Sequence, residues 1–190
     1  MRLAILSFLF FACPALAQPS PEVLNLLRDG GYVLYLRHTS TDFSQNDSRM
    51  TSFEDCSSQR NLTDRGRDEA RAIGEHVKRL KIPIDEVLAS PYCRTMETAR
   101  LAFGKATATG DVRGGPASDA GGRYAALRKL LSTKVPKRQN LVISSHGNPF
   151  HAVAGPPYLA EGEMAVVNPE GDRFSVIARI RLMDWQVLGM

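Results

Sequence analysis

The chain has 190 residues, 43% of them hydrophobic, and a formal net charge of +4. That is apolar material enough for one domain with a sizeable core. The positive balance comes without a Lys/Arg run, so no nucleic-acid partner is implied.

The first segment reads as an export signal. Arg2 supplies a positive start, residues 3–12 are an apolar run, and the small residues "ALA" at 15–17 precede Gln18. Cleavage is expected after Ala17, which removes Arg2 and lowers the charge to +3. The run is too short to span a bilayer, and Phe10 and Phe11 fit a lipid-anchor site at Cys13 poorly, so no stable membrane anchor is expected. The mature chain is expected to be exported, periplasmic in a Gram-negative source and secreted otherwise. It keeps two cysteines, Cys56 and Cys93, and in an oxidising compartment an even pair is expected to bridge. Such a bridge closes a loop of just under forty residues, a gain of roughly 3–4 kcal/mol in the chain-entropy model.

Residues 19–28 read as a short helix ended by Gly30 and Gly31. Residues 32–36, "YVLYL", form a buried strand that stops at Arg37 and His38, two basic groups that are costly at a core rim unless something anionic meets them. Residues 39–58 are polar and predict a loop. Thr63 can cap the next helix, whose inner face carries Ala70, Ile73, Val77 and Leu80 to about residue 81 before Pro83. A strand is expected over 86–90. A helix follows with Ser90 as cap, Pro91 at its first position, and Tyr92, Met96, Ala99 and Phe103 facing inward.

Residues 104–122 hold six glycines and no periodicity, a long surface excursion. "GRYAALRKLLS" predicts a helix, residues 140–146 a strongly apolar strand, and 164–168 and 174–181 two late strands. Alternating strands and helices predict a three-layer α/β/α sandwich with a mostly parallel central sheet. Ligands gather at the carboxyl ends of such strands. His38 and His146 both fall there.

Two histidines could ligate a metal, but His76 lies on a helix whose apolar face is already assigned, and Arg37 beside His38 opposes a cation. His151 could face the site or the core. Arg94 falls in the first turn of its helix, where the macrodipole favours an anion. Arg94 is either a phosphate ligand or the partner of Glu97 in a surface pair. Arg37, Arg94, His38 and His146 together suit a phosphate dianion, since guanidinium forks match its oxygens and an imidazole can attack its phosphorus.

"LRHT", "LTDRGRDEA", "SPYCRTMETA" and "SSHGNP", in that order, resemble the histidine phosphatase superfamily, the phosphoglycerate mutase-like group, from residue 32 to about 155. The resemblance implies one phosphatase domain over 18–190 after a signal at 1–17, with the fold of that group. It implies His38 as nucleophile and Arg37, Arg94 and His146 as phosphate ligands, with Leu62, Thr63 and Gly66 as a structural turn. A neutral imidazole would attack to give a phosphoenzyme, with no metal and no cofactor. Thr39 stands where the family usually has glycine, either narrowing the pocket, contributing a hydroxyl to it, or purely structural. For the leaving-group acid the candidates are Glu163, then Asp119, then Glu161, and Arg60 is either an extra phosphate contact or a partner of Asp55 or Asp64. The expected activity is an exported, metal-independent phosphomonoesterase acting on a small-molecule or envelope phosphate ester. The rivals are a phosphoglycerate mutase-type phosphotransferase and a non-catalytic binder of phosphorylated envelope glycan or lipid.

Overall fold

The computed structural model describes residues 20–113, 122 and 124–188. The expected signal at 1–17 and Asp119 lie outside them. Helix α1 (Pro21–Asp29) is capped by Ser20 and stops at Gly30, and β1 (Tyr32–Arg37) follows at once. Helix α2 (Asp64–Arg79) starts at the Thr63 cap and buries the expected Ala70, Ile73 and Val77. Then come β2 (Glu86–Ala89), α3 (Cys93–Phe103), the short β3 (Thr107–Ala108), α4 (Ala125–Ser132) and β4 (Asn140–Ser145). The chain finishes with α5 (Gly147–Ala154), β5 (Met164–Pro169), β6 (Phe174–Ile180) and α6 (Asp184–Val187).

The strands form one sheet in the order β3-β2-β4-β1-β5-β6. β1 is central and alternates between two cores. Leu34 and Leu36 pack with α1, α2 and α6 on one face, and Val33 and Tyr35 with Leu127, Leu131 and Phe150 of α4 and α5 on the other. A strand buried on both faces reads as a continuous apolar run, which is why "YVLYL" shows no polar alternation.

The three-layer expectation holds, but the sheet is mixed rather than mostly parallel. β1, β2, β3 and β4 pair parallel, whereas β5 runs antiparallel to β1 and β6 antiparallel to β5. After α5 the chain stays at the carboxyl end of β1. There the Gly162 N–H donates to the carbonyls of Arg37 and His38 (3.3 and 3.0 Å), so β5 enters from that end and must run back. Gly162 takes φ +75°, a conformation that favours glycine.

Two further details differ from expectation. Ser90 does not cap α3. The helix starts at Cys93, and the Cys93 N–H is met by Gln59 Oε1 at 3.0 Å, a cap delivered by a distant loop. The stretch after Gly104 carries β3 and a short 3-10 turn, Gly110–Val112, whose Val112 is fully buried under β4.

Candidate active site

Pairing of β1 with β4 sets Arg37 beside Ser145, so the next residue on each strand is a histidine at the same level. The His38 N–H donates to the Ser145 carbonyl at 2.9 Å, extending the ladder one step into the site. The two rings lie with centroids 5.6 Å apart. The loop after His38 is clamped from α2: the Thr63 N–H donates to the Ser40 carbonyl, and a Cβ on Gly66 would lie 2.0 Å from that same oxygen. Only glycine permits that approach.

His38 is 1% exposed, and its Nδ1 lies 3.0 Å from the Thr39 carbonyl. A carbonyl can only accept, so Nδ1 carries the hydrogen and Nε2 keeps its lone pair. Burial, reinforced by Arg94, Arg37 and Arg60, pushes the imidazole pKa down to about 3 against the Thr39 hydrogen bond, so the ring is neutral. His146 is held well below its ordinary value, first by burial and then by Arg94 and His38. Its Nε2 shares a hydrogen bond with Ser90 Oγ at 2.9 Å, and its ring stands edge to face with Tyr92 at 5.0 Å. Ser90, expected as a helix cap, belongs to the site.

Three guanidiniums surround the pair. Arg37 donates through Nη1 to the Leu159 carbonyl (2.7 Å), reaches Glu161 through Nη2 (3.5 Å), and lies 5.3 Å from the Tyr158 ring centroid. Arg94 donates through Nη1 to Asp47 Oδ1 (3.0 Å) and the Arg60 carbonyl (3.2 Å), stacked 4.4 Å above Tyr92. Glu97, the surface alternative for Arg94, is taken by Arg67 Nε at 2.7 Å. Arg60 lies 4.9 Å above Phe43 and pairs with neither Asp55 nor Asp64. The Nε–H groups of Arg37, Arg60 and Arg94 are buried without a protein acceptor among the described residues.

The carboxylates fall differently from expectation. Glu163 is 3% exposed, accepts from the Ala160 N–H at 2.7 Å, and faces Arg179 and Arg181 at 4.0 and 3.9 Å. Its backbone carbonyl, not its side chain, meets β1, through the Arg37 N–H. Glu163, expected as leaving-group acid, thus has its carboxylate turned to the Ala160 N–H and two arginines. Glu161 instead reaches the histidine, with Oε1 3.8 Å from His38 Nδ1. Thr39 is buried and bonded to Thr98 Oγ1 through both N and Oγ1 (3.3 Å each), which is the structural alternative.

Asp47 was not found from sequence, because a lone acid in a Ser/Asp-rich loop carries no spacing signal. His76 stacks on Trp185, and His151 is exposed beside Tyr158. Cys56 and Cys93 are bridged, with Cα atoms 5.7 Å apart, immediately before Arg94. A groove of about 1080 Å³ beside the bridge, lined by Phe53, Pro91, Met96 and Arg100, contains none of the site histidines or arginines named above. Among the described residues no group of three or more His, Cys, Asp or Glu is gathered as for a metal ion, and no helix is long and apolar enough to cross a membrane.

The sequence pattern of the histidine phosphatase superfamily (branch 1) matches residues 33–114. No curated protein matches the chain. Among solved structures, the protein histidine phosphatase SixA complexed with tungstate is 22% identical with a TM-score of 0.55, over 80% of this chain and 98% of that one. Phosphoserine phosphatase from Entamoeba histolytica, in complex with 3-phosphoglyceric acid, is 14% identical with a TM-score of 0.56, over 78% and 95%. These likenesses are of fold. The matched segment carries β1, α2 and α3 and the arginine–histidine pair at the end of β1, so over these residues the chain is similar to the histidine phosphatase superfamily, a group of phosphoric monoester hydrolases.

Proposed function

We propose that the protein is an exported phosphomonoesterase that works through a phosphohistidine on His38. The observation that carries this reading is the free Nε2 of a neutral, buried imidazole among three guanidiniums whose Nε–H groups have no protein acceptor. A phosphoryl group is the dianion that such forks match.

In the first step the Nε2 lone pair attacks phosphorus, and the ester oxygen leaves on the opposite side. Arg37, Arg94 and Arg60 spread the charge on the transferring oxygens, a task of positioning and electrostatics. His146 is neutral while only cations face it; a bound dianion reverses that field and favours its imidazolium as a further donor. Water then attacks the phosphohistidine and returns His38 to its starting form. The Cys56–Cys93 bridge supports an oxidising, extracytoplasmic compartment, in keeping with the signal read at 1–17. By their names, the fold relatives act on phosphohistidine in protein and on phosphoserine, so substrate choice lies with the side chains around the pocket.

Mature protein should turn over a chromogenic phosphate ester in excess chelator, and alkaline quenching should trap phosphate on His38. His38→Ala should abolish turnover with the fold intact. Substantial activity in that variant, or strict dependence on an added divalent cation, would sink the mechanism. Absence of any turnover in the unmutated protein would favour the binding-only reading.

A further inference from the structure

Glu161 sits on the wrong side of the nucleophile to serve the leaving group. The two ring nitrogens of an imidazole point away from each other, and an in-line displacement puts the departing oxygen beyond phosphorus from Nε2. Glu161 Oε1 lies 3.8 Å from Nδ1, so the ring and the phosphoryl group separate it from that oxygen. It is also firmly held. Oε1 accepts from Thr41 Oγ1 at 2.7 Å, Oε2 accepts from the Thr41 N–H at 3.3 Å, and Thr41 is 5% exposed. The turn that carries it is fastened to the nucleophile's own backbone through the Gly162 N–H.

We propose that Glu161 is a positioning residue for His38, stabilising from the Nδ1 side the imidazolium that forms when Nε2 bonds to phosphorus. The inference rests on His38 being the nucleophile. When Nε2 gives its lone pair to phosphorus, the P–O ester bond breaks and its electron pair leaves with the oxygen. Nδ1 keeps its hydrogen, so the ring carries a positive charge in the intermediate. Water attack breaks the P–N bond, the pair returns to Nε2, and the water proton ends on released phosphate or solvent. The positive ring arises in a cationic setting made by Arg94, Arg37 and Arg60. Glu161 is the one carboxylate within 4 Å of a nitrogen of that ring among the described residues. The Thr39 carbonyl shares the same N–H. One carboxylate thus serves two cations: it steadies Arg37 before reaction and compensates the ring during it.

The test is Glu161→Gln, which keeps an oxygen for Thr41 but removes the charge, compared with Glu161→Asp in rapid-quench kinetics on nitrophenyl phosphate and an alkyl phosphate. Phosphorylation of His38 should slow about tenfold or more, by a similar factor for both esters, with partial recovery in Glu161→Asp. Removal of a charge that shifts the ring by one pKa unit corresponds to that factor. The ring of the trapped phosphohistidine, followed by NMR against pH, should lose its proton at lower pH in Glu161→Gln. A loss confined to the alkyl phosphate would make Glu161 the leaving-group acid and overturn the proposal. Unchanged phosphorylation with an unchanged ring titration would overturn it as well. Should Glu161→Gln not fold, Thr41→Val loosens the same carboxylate and should give a smaller loss of the same pattern; no loss there would count against the idea. Failure to trap phosphate on His38 in the unmutated enzyme is a separate result, which strikes the nucleophile assignment first.

Discussion

A neutral buried imidazole has two pH signatures. For catalysis, a free-enzyme pKa near 3 places the acid limb of kcat/KM well below that of an ordinary histidine at 6.5. Once the second ionisation of the ester near pH 6 is corrected for, kcat/KM should stay level to below pH 5. For stability, the unfolded chain binds the extra proton between about pH 6.5 and 3, so the contribution of His38 is full above 6.5 and lost as pH falls toward 3. Urea unfolding at pH 7 and pH 4 should show that loss, and His38→Gln should show less of it. Glu163 gives the complementary case. Its carboxylate faces Arg179, Arg181 and the Ala160 N–H, so Glu163→Gln should slow nitrophenyl and alkyl phosphates alike and cost about 1–3 kcal/mol of stability. Loss of alkyl phosphate turnover alone would make it the acid. The sequence could not separate Glu161 from Glu163, because a single turn, with Gly162 at positive φ, decides which carboxylate faces the histidine.

At the level of elements, α3 presents Arg94 from its first turn, and that turn is held from outside. Gln59 caps it, Cys93 ties it to Cys56 across a separation of 37 residues, and Asp47 holds the arginine itself. Replacing both cysteines by serine should destabilise the protein by roughly 3–4 kcal/mol. On the proposed mechanism it should also raise KM more than it lowers kcat, because Arg94 is loosened and His38 is not. An unchanged melting temperature would show that the bridge contributes nothing. The helices were legible where an apolar face repeats, as in α2, and the strands where the run is apolar throughout, as in β1 and β4. The direction of β5 was not legible. Strand polarity depends on which end of the sheet the chain has reached, and residues 155–163 carry no periodic signal of that. Nor was the borrowed cap, since Gln59 lies 34 residues before the N–H it serves.

Across the whole molecule, the four residues named first from sequence converge because two strand ends and one helix start meet at one edge of the sheet. Loops after β1 and β3 reach the same edge and bring in Asp47, Arg60 and the short turn at Val112, which is why composition alone could not assign them. The pairing of β1 with β4 joins residues 108 positions apart, Tyr32 and Asn140, and continues to the two histidines. Contacts of such separation pay their loop-closure entropy before they return any binding, so a partly formed chain with its local helices in place still has its two halves of chemistry apart. Enzymatic rate is then a reporter of one long-range pairing, that of β1 with β4. On refolding from urea with the bridge intact, turnover should return with the slowest tertiary signal and never with the early gain of helical signal. An early recovery of activity would mean that the histidines can meet without the ladder beneath them.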